Sequence, residues 1–275
     1  MTQANDALRV LEETSRTFYI PVARLPEGLQ EAVASGYLCM RAIDEVEDHP
    51  DIAGDVKAQL LNDISLALQA QTHVESFAHD HLASIFDRAK ETLPEVTVRI
   101  GEWACYAPRF IAPRVWEATS SMADRMAHWA ISGFKVVTQA DLDRYTYGVA
   151  GAVGLMLCDL FGWFEKVQIN RSRGIQFGRG LQLVNILRNR EEDLERGVDF
   201  YPDGWDNEKM HAYARQNLDE FDAYAKSLPE SAFVDFVSVP RALAYATLEA
   251  LARGDEKLSR TEVVQIVQEL EPETN

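Results

Sequence analysis

The sequence of 275 residues predicts an all-α fold, and three observations support this expectation. Apolar residues recur every three or four positions over most of the chain, as they do on helices with one buried face. Proline and glycine residues mark the ends of these stretches. The alternation of apolar and polar residues that is typical of strands is missing from the sequence. Because 47% of the residues are hydrophobic, the chain can form a large buried core.

The elements follow from this periodicity in chain order. The run from Ser15 to Pro21 is expected to be extended, because residues before a proline disfavour the helical conformation. Residues 196–204, rich in glycine and proline, are expected to form a loop. Without a linker or an internal repeat, residues 1–275 are expected to form a single domain. Helices are expected at 4–14, from Pro26 to Asp48, at 54–70 and 76–92, from Pro94 towards Pro108, and at 115–131, 141–162, 180–193, 207–227, 230–253 and 259–270.

The charge balance limits the partners of the protein. Lys and Arg number 27 against 44 Asp and Glu, which gives a net charge of −17. Such a charge disfavours nucleic acid and anionic membrane surfaces as partners. No run reaches the roughly 18 uncharged residues of a membrane span. Three cysteines, widely spaced in apolar segments, do not form the pattern of a disulfide framework. We therefore expect a soluble, cytoplasmic protein.

A first polar stripe lies near the end of the helix predicted from Pro26. Tyr37, Arg41, Asp44 and Asp48 are spaced at i, i+4, i+7 and i+11, which places them on one helix face. Asp44 and Asp48 would repel each other one turn apart unless a cation lies between them. Mg²⁺ accepts such carboxylate oxygens and takes further ligands from substrate phosphates. Alone, two aspartates at this spacing are also common on solvated helix surfaces.

A second polar stripe has the same design. Gln182, Asn185, Asn189 and Asp193 follow one face of the helix predicted at 180–193 over about 16 Å. The alternative is a core helix whose amides bond neighbouring helices and whose acidic end is solvated. Together, the two stripes favour a diphosphate clamp. Its expected metal ligands are Asp44, Asp48, Asn185, Asn189 and Asp193.

Three glycines interrupt the helix predicted at 141–162. Gly148, Gly151 and Gly154 are spaced by three residues, and each glycine inside a helix costs about 0.5–1 kcal/mol relative to alanine. We expect a weakened or broken helix that allows the close approach of a neighbour or a ligand. Tight packing between helices is the structural alternative, and the two are compatible if a slender apolar ligand lies over the small residues.

Five segments, in the same order along the chain, resemble the squalene/phytoene synthase family of head-to-head prenyl transferases, which includes dehydrosqualene synthase. They are Ser15–Phe18, Tyr37–Asp48, Tyr145–Gly154, Gln182–Asp193, and Pro240 with Tyr245. The resemblance implies an isoprenoid synthase fold around a central apolar cavity. It also implies a farnesyl- or geranylgeranyl-type diphosphate as substrate, with two or three Mg²⁺ ions, replaceable by Mn²⁺, at the acidic motifs.

The resemblance also implies roles for single residues. Arg41 and Arg188 are expected to stabilise the departing diphosphate, and three tyrosines are expected to orient water or the diphosphate. Together these are the expected catalytic residues: Tyr37, Arg41, Tyr145, Arg188 and Tyr245. A second set is expected to bind the substrate: Ser15, Thr17, Phe18, Val149, Ala150, Gly154 and Gln182.

The chain departs from the family pattern at two positions. Asn189 stands where the family carries a carboxylate, and Val198 stands where it carries an arginine. Two bound diphosphates bring on the order of six negative charges, which a weakened cation cage holds poorly. The sequence therefore favours ionisation of one prenyl diphosphate, as in the branch of the family that hydrolyses farnesyl diphosphate to farnesol. A transient membrane contact would serve product release.

Two alternatives remain at this point. The first is a head-to-head transferase that makes squalene, dehydrosqualene or phytoene. The second is a non-catalytic prenyl-lipid binding protein, which the repulsive pair of Asp44 and Asp48 disfavours because binding alone does not need it.

Overall fold

The structure, a computed structural model, describes residues 3–71, 73, 79–87, 89 and 93–270. The all-α expectation is confirmed, since no strand occurs among these residues. A π-helical turn, Tyr147–Gly151, joins the ninth and tenth α-helices. The α-helices are α1 Gln3–Thr14, α2 Arg16–Ala23, α3 Leu29–Glu47, α4 Gly54–Gln69, α5 His79–Ile85, α6 Glu95–Val98, α7 Ile100–Ala104, α8 Ala112–Ser132, α9 Gln139–Thr146, α10 Ala152–Glu165, α11 Arg171–Arg188, α12 Arg190–Glu195, α13 Asn207–Ala225, α14 Ala232–Arg253 and α15 Arg260–Glu269.

The described residues form two compact units. The first unit contains those within Met1–Phe134 and Met156–Ile169, and the second contains those within Lys135–Leu155 and Asn170–Asn275. The chain therefore passes from one unit to the other three times. The expectation of a single domain over residues 1–275 stays a prediction.

Helix α3 is the centre of the first unit. Helices α1, α6, α7 and α8 pack against it, and α4 packs along α8. The Ser35 hydroxyl donates to the backbone oxygen of Trp103 (2.6 Å), and the Thr97 hydroxyl donates to that of Ala42 (3.1 Å). The Trp103 indole donates in turn to the backbone oxygen of Val96 (2.9 Å). Because neighbours enclose α3, the orientation of the side chains at its C-terminal end is fixed by the core.

Helix α2 corrects the expectation of extended chain from Ser15 to Pro21, which is wrong. The Ser15 hydroxyl caps the helix by accepting from the backbone N–H of Phe18 (3.2 Å). The Phe18 ring stacks on Tyr37 with centroids 4.9 Å apart, and Val22 is fully buried. An N-cap and two buried contacts thus override the local preference of residues before a proline.

Two further helices differ from their predicted lengths. Of the helix expected at 76–92, the structure has α5, and residues 76–78, 88 and 90–92 lie outside the described part of the chain. The helix expected from Pro94 is divided into α6 and α7 at Arg99, whose backbone angles (φ −101°, ψ 14°) leave the helical region. The helices expected at 54–70, 115–131, 207–227, 230–253 and 259–270 are confirmed with ends shifted by a few residues.

Small residues bring the backbones of the second unit close together. In the π-helical turn the N–H of Ala152 bonds the carbonyl of Tyr147, five residues earlier. A Cβ atom at Gly154 would lie closer than 3.0 Å to the carbonyl oxygen of Gly174, and one at Gly178 would do the same to that of Ala150. The helix predicted at 141–162 is therefore interrupted as expected, and tight packing against α11 explains Gly154.

One helical stretch has the length and composition of a membrane span. Among the described residues, Gln139–Glu165 passes this test, and half of its most apolar window is buried inside the protein. It also contains Asp159, which pairs with Arg114 of α8 at 2.9 Å. A buried helix in the core of a soluble protein passes the same test, so the finding decides little about location.

The close approach of α11 to the π-helical turn leads to a stability prediction. Gly178→Ala should lower the free energy of unfolding by about 3 kcal/mol, because the added methyl group meets backbone that cannot move aside. The control is Gly204→Ala in the same unit, where φ is +73° and nothing lies within 4 Å of the added Cβ. It should cost about 1 kcal/mol, from backbone strain alone. Urea denaturation of both variants tests this, and equal losses would contradict the close approach.

Candidate active site

The first polar stripe lies along the C-terminal half of α3. Tyr37, Arg41 and Asp44 are half-buried, and Asp48 caps the helix by donating its N–H to the backbone oxygen of Asp44 (2.9 Å). The Arg41 guanidinium donates to Asp44 at 2.6 Å and also bonds Glu45. The helical spacing thus places a cation, two acids and a phenol on one face, as the sequence predicts.

Residues from α2 extend this face. The side chains of Thr14 and Ser15 hydrogen bond Tyr37, whose pKa is nevertheless raised by burial. Phe18 stacks on the same tyrosine, whereas the backbone at Thr17 leaves that side chain exposed. The structure therefore brings Ser15 and Phe18 to Tyr37, and their role in substrate binding stays a prediction, as does that of Thr17.

Three carboxylates converge at the end of α3. Asp44, Glu47 and Asp48 each offer an oxygen atom, and these atoms lie within 4.8 Å of one another. Glu47 is the member that the sequence analysis missed. Its side chain is buried, and its Oε1 atom has no hydrogen-bond partner among the described residues. The signal lay in its position, because Glu47 follows Ile43 by one turn on the apolar face of the helix, where an acid is unexpected.

The electrostatics of this carboxylate cluster favour a bound cation. Burial, then the charge of Asp48, raises the pKa of Asp44 above its ordinary value. Burial, followed by the charges of Asp48 and Asp44, raises the pKa of Glu47 further. A hard divalent ion with oxygen ligands would compensate these charges and satisfy the orphaned Glu47 oxygen. The cluster therefore fits a divalent metal.

The second polar stripe spans the end of α11 and the start of α12. The predicted continuous helix is divided at Asn189 (φ −103°, ψ 11°), so that expectation is corrected. The N–H of Asn189 still donates to Asn185, and that of Asp193 donates to Asn189, each over 2.9 Å. These bonds keep the helical spacing across the break, so the predicted side chains remain in sequence along the two helices.

The polar groups of the second stripe bond one another or nearby cations. The Asn185 amide donates to Gln182 at 3.5 Å, and the Arg188 guanidinium donates to the Asn189 oxygen at 3.0 Å. Asp193 is buried and paired with Arg196. These contacts fit the alternative of a structural polar stripe as well as they fit a metal site, so the roles of Gln182, Asn185, Arg188, Asn189 and Asp193 stay predictions.

Two predicted catalytic tyrosines lie elsewhere in the second unit. Tyr145 is buried and stacks on Phe200 with ring centroids 4.4 Å apart. The Tyr245 hydroxyl donates to Asp219 of α13 at 2.8 Å, and burial, followed by this bond, raises its pKa. Neither Phe200 nor Asp219 was singled out from the sequence, since both come from segments far from their partners in the chain.

The π-helical turn carries three residues predicted to bind the substrate. Val149 and Ala150 are half-buried, and Gly154 is buried against the backbone of Gly174. The space that a side chain at Gly154 would fill is thus taken by α11. Contact of Val149, Ala150 and Gly154 with a substrate stays a prediction.

The comparison with known sequences identifies relatives of one kind. The family described as squalene/phytoene synthase matches residues 11–205. The squalene synthase of Schizosaccharomyces pombe is 28% identical over 94% of this chain, and the squalene synthase BSS of Botryococcus braunii is 32% identical over 67% of it. The chain spans 63% and 39% of the length of these two proteins.

Solved structures of similar shape agree with the predicted fold. A complex of TcSQS with the ligand BPH1237 superposes with a TM-score of 0.73 at 22% identity, covering 98% of this chain and 86% of the other. A dehydrosqualene synthase in complex with a ligand gives a TM-score of 0.64 at 18% identity, covering 98% and 95%. At these identities the likeness establishes the fold alone, which is the all-α isoprenoid synthase fold. With the sequence match over residues 11–205, it follows that the chain belongs to the squalene/phytoene synthase family.

Proposed function

We propose that the protein is a metal-dependent prenyl transferase that joins two prenyl diphosphates, of the farnesyl type, head to head. The observation that carries the proposal is the cluster of Asp44, Glu47 and Asp48 beside Arg41, in a member of this family. The relatives matched are named squalene synthases, which supports joining two substrates. This changes the order of the hypotheses, because the sequence analysis favoured ionisation of a single diphosphate.

The metal ligands in this proposal come from both polar stripes. Asp44, Glu47 and Asp48 would hold Mg²⁺ on α3, and the resemblance adds Asn185, Asn189 and Asp193, with two or three ions in all and Mn²⁺ as a substitute. When bound, Mg²⁺ supplies Lewis-acid stabilisation of the leaving diphosphate. A carboxylate cluster that is repulsive without a cation supports this assignment, because it stabilises the bound form over the free one.

The remaining residues act on the substrate directly in this proposal. Arg41 and Arg188 place positive charge against the diphosphate as negative charge develops on it. The hydroxyl groups of Tyr37, Tyr145 and Tyr245 orient the diphosphate. The apolar chain of the substrate is bound by burial, at about 25 cal/mol per Å².

Release of a C15 alcohol from one farnesyl diphosphate is the second candidate function. It is favoured by Asn189, a neutral ligand whose oxygen already accepts from Arg188. Val198 favours it too, because an apolar side chain there contributes no charge towards a second diphosphate. Both departures reduce the charge available for two substrates.

We also propose a cytoplasmic location with transient membrane contact. A squalene-like product is a hydrocarbon, so its transfer from the protein to a bilayer avoids water. Flotation of the protein with neutral lipid vesicles, with and without substrate, would test this contact.

Glu47 leads to a prediction that needs no substrate. Without metal, Glu47→Gln should raise Tm by about 3 °C, the shift that roughly 1 kcal/mol produces in a protein of this size, because it removes a repelled buried charge. With Mg²⁺, the wild type should gain Tm and the variant should gain less. Asp51→Asn, an exposed acid just beyond α3, is the matched control. An equal gain in the wild type and Glu47→Gln would exclude Glu47 as a ligand.

Asp48 tests the metal at the level of turnover. Asp48→Ala should reduce activity to less than about a tenth while leaving Tm unchanged or higher, since it relieves repulsion at the open end of α3. EDTA should have the same effect on the wild type, and Mg²⁺ or Mn²⁺ should restore activity. Restoration by Zn²⁺ alone would contradict an oxygen-ligand site. Substrate binding that is equally tight with and without Asp48, in a protein with no turnover, would favour the prenyl-lipid binding protein.

The products distinguish the two enzymatic candidates. Incubation with farnesyl diphosphate and Mg²⁺, followed by mass spectrometry of the extract, should yield a C30 product. A C15 alcohol in its place would support the second candidate. In that case Asn189→Asp with Val198→Arg should raise the C30 fraction, because both changes add charge for a second diphosphate where screening is weak. Asn189→Gln with Val198→Leu, which adds no charge, is the control.

A further inference from the structure

Arg190, the first residue of α12, is tied to the loop that follows this helix. Its guanidinium lies over the ring of Tyr201, 3.6 Å from the centroid. It donates to the side-chain oxygen of Asn207 at 3.0 Å and to the carboxylate of Asp199 at 3.3 Å. One side chain thus contacts the loop at two points and the start of α13 at a third. A planar, forked guanidinium can stack and donate at the same time, which an ammonium cannot do.

The loop is ordered by further bonds on both sides of Phe200. The backbone N–H of Tyr201 donates to Asp199 (3.0 Å), and the Tyr201 hydroxyl donates to Asn207 (2.9 Å). Farther along, the N–H of Asp203 donates to the backbone oxygen of Val137 (2.9 Å). Arg190 therefore holds both residues that flank Phe200 in the chain.

Phe200 transmits this placement to a residue of the proposed reaction. Its side chain is 7% exposed, and its ring lies nearly parallel to that of Tyr145, at 20° and 4.4 Å. An offset stack of this kind contributes about 0.5–1.5 kcal/mol beyond the area it buries. The orientation of Tyr145 consequently depends on where the loop holds Phe200.

We propose that Arg190 is a positioning residue that fixes Phe200 against Tyr145 and thereby sets the orientation of the Tyr145 hydroxyl. The consequence for catalysis rests on the proposed function, in which Tyr145 orients the diphosphate. The placement of the loop itself does not depend on that function. Val198, within the same loop, brings no cation to Asp199, and Arg190 supplies that charge from α12.

Amide hydrogen exchange tests the placement without substrate. Arg190→Gln should accelerate exchange of the Tyr201 amide by about tenfold, the effect of losing roughly one hydrogen bond's worth of restraint. Arg190→Lys, which keeps the charge but cannot stack and fork, should accelerate it less. Arg253→Gln, which breaks an exposed ion pair with Asp255 in the same unit, is the control and should leave this amide unchanged. Unchanged exchange in Arg190→Gln would overturn the proposal.

Kinetics with farnesyl diphosphate and Mg²⁺ test the consequence. Arg190→Gln and Phe200→Leu should each lower kcat by about tenfold with less than about a twofold change in KM, because substrate binding does not need the loop. If they act through one chain of contacts, the double variant should also lose about tenfold. A loss of about a hundredfold would show independent effects and would overturn the proposal. Asp199→Asn replaces Phe200→Leu if the latter does not fold.

The two proposals fail in different ways. A wild type that converts no prenyl diphosphate would refute the proposed function, while the exchange experiment would still decide whether Arg190 holds the loop. Faster exchange in Arg190→Gln together with unchanged kcat would overturn Arg190 as a positioning residue and leave the proposed function intact.

Discussion

Mutual repulsion among Asp44, Glu47 and Asp48 is the constraint around which the first unit is built. The three carboxylates meet at the C-terminal end of α3, where the helix dipole is negative and disfavours anions by about 0.3–1 kcal/mol each. Left to itself, the end of such a helix would fray to separate them. It remains ordered because α3 is enclosed by its neighbours, with Leu38 and Ile43 fully buried. Apolar burial thus offsets an electrostatic conflict that a cation relieves.

Long elements were predictable from the sequence because periodicity over many residues averages out local exceptions. Helices α3, α8, α13 and α14 each carry an apolar stripe over 19 residues or more. Helix α2 was not predictable, because its stability comes from the Ser15 cap and from the contact of Phe18 with Tyr37, a residue two helical elements away in a separate part of the chain. The break at Asn189 escaped prediction for a similar reason, since neither glycine nor proline marks it.

The candidate site was predictable where its residues share one helix face. The spacing of Tyr37, Arg41, Asp44 and Asp48 places them together without knowledge of the tertiary structure. Glu47 was overlooked because its position in the helix assigns it to the core, and only the packing around it turns this into a buried acid beside two others. The partners Phe200 and Asp219 required the tertiary structure, since they meet Tyr145 and Tyr245 from segments that are 55 and 26 residues away.

The π-helical turn at Tyr147–Gly151 makes this part of the chain sensitive to length rather than to side-chain identity. A π-helical turn accommodates one residue more than an α-helix between the same two hydrogen-bonded levels. Deleting a single residue here would restore regular α-helix and rotate everything beyond it by roughly 100° relative to what precedes it. Gly154 would then no longer face Gly174, although every residue of both helices would remain present. Over evolution, substitutions can accumulate in this segment, whereas insertions and deletions of one residue are selected against.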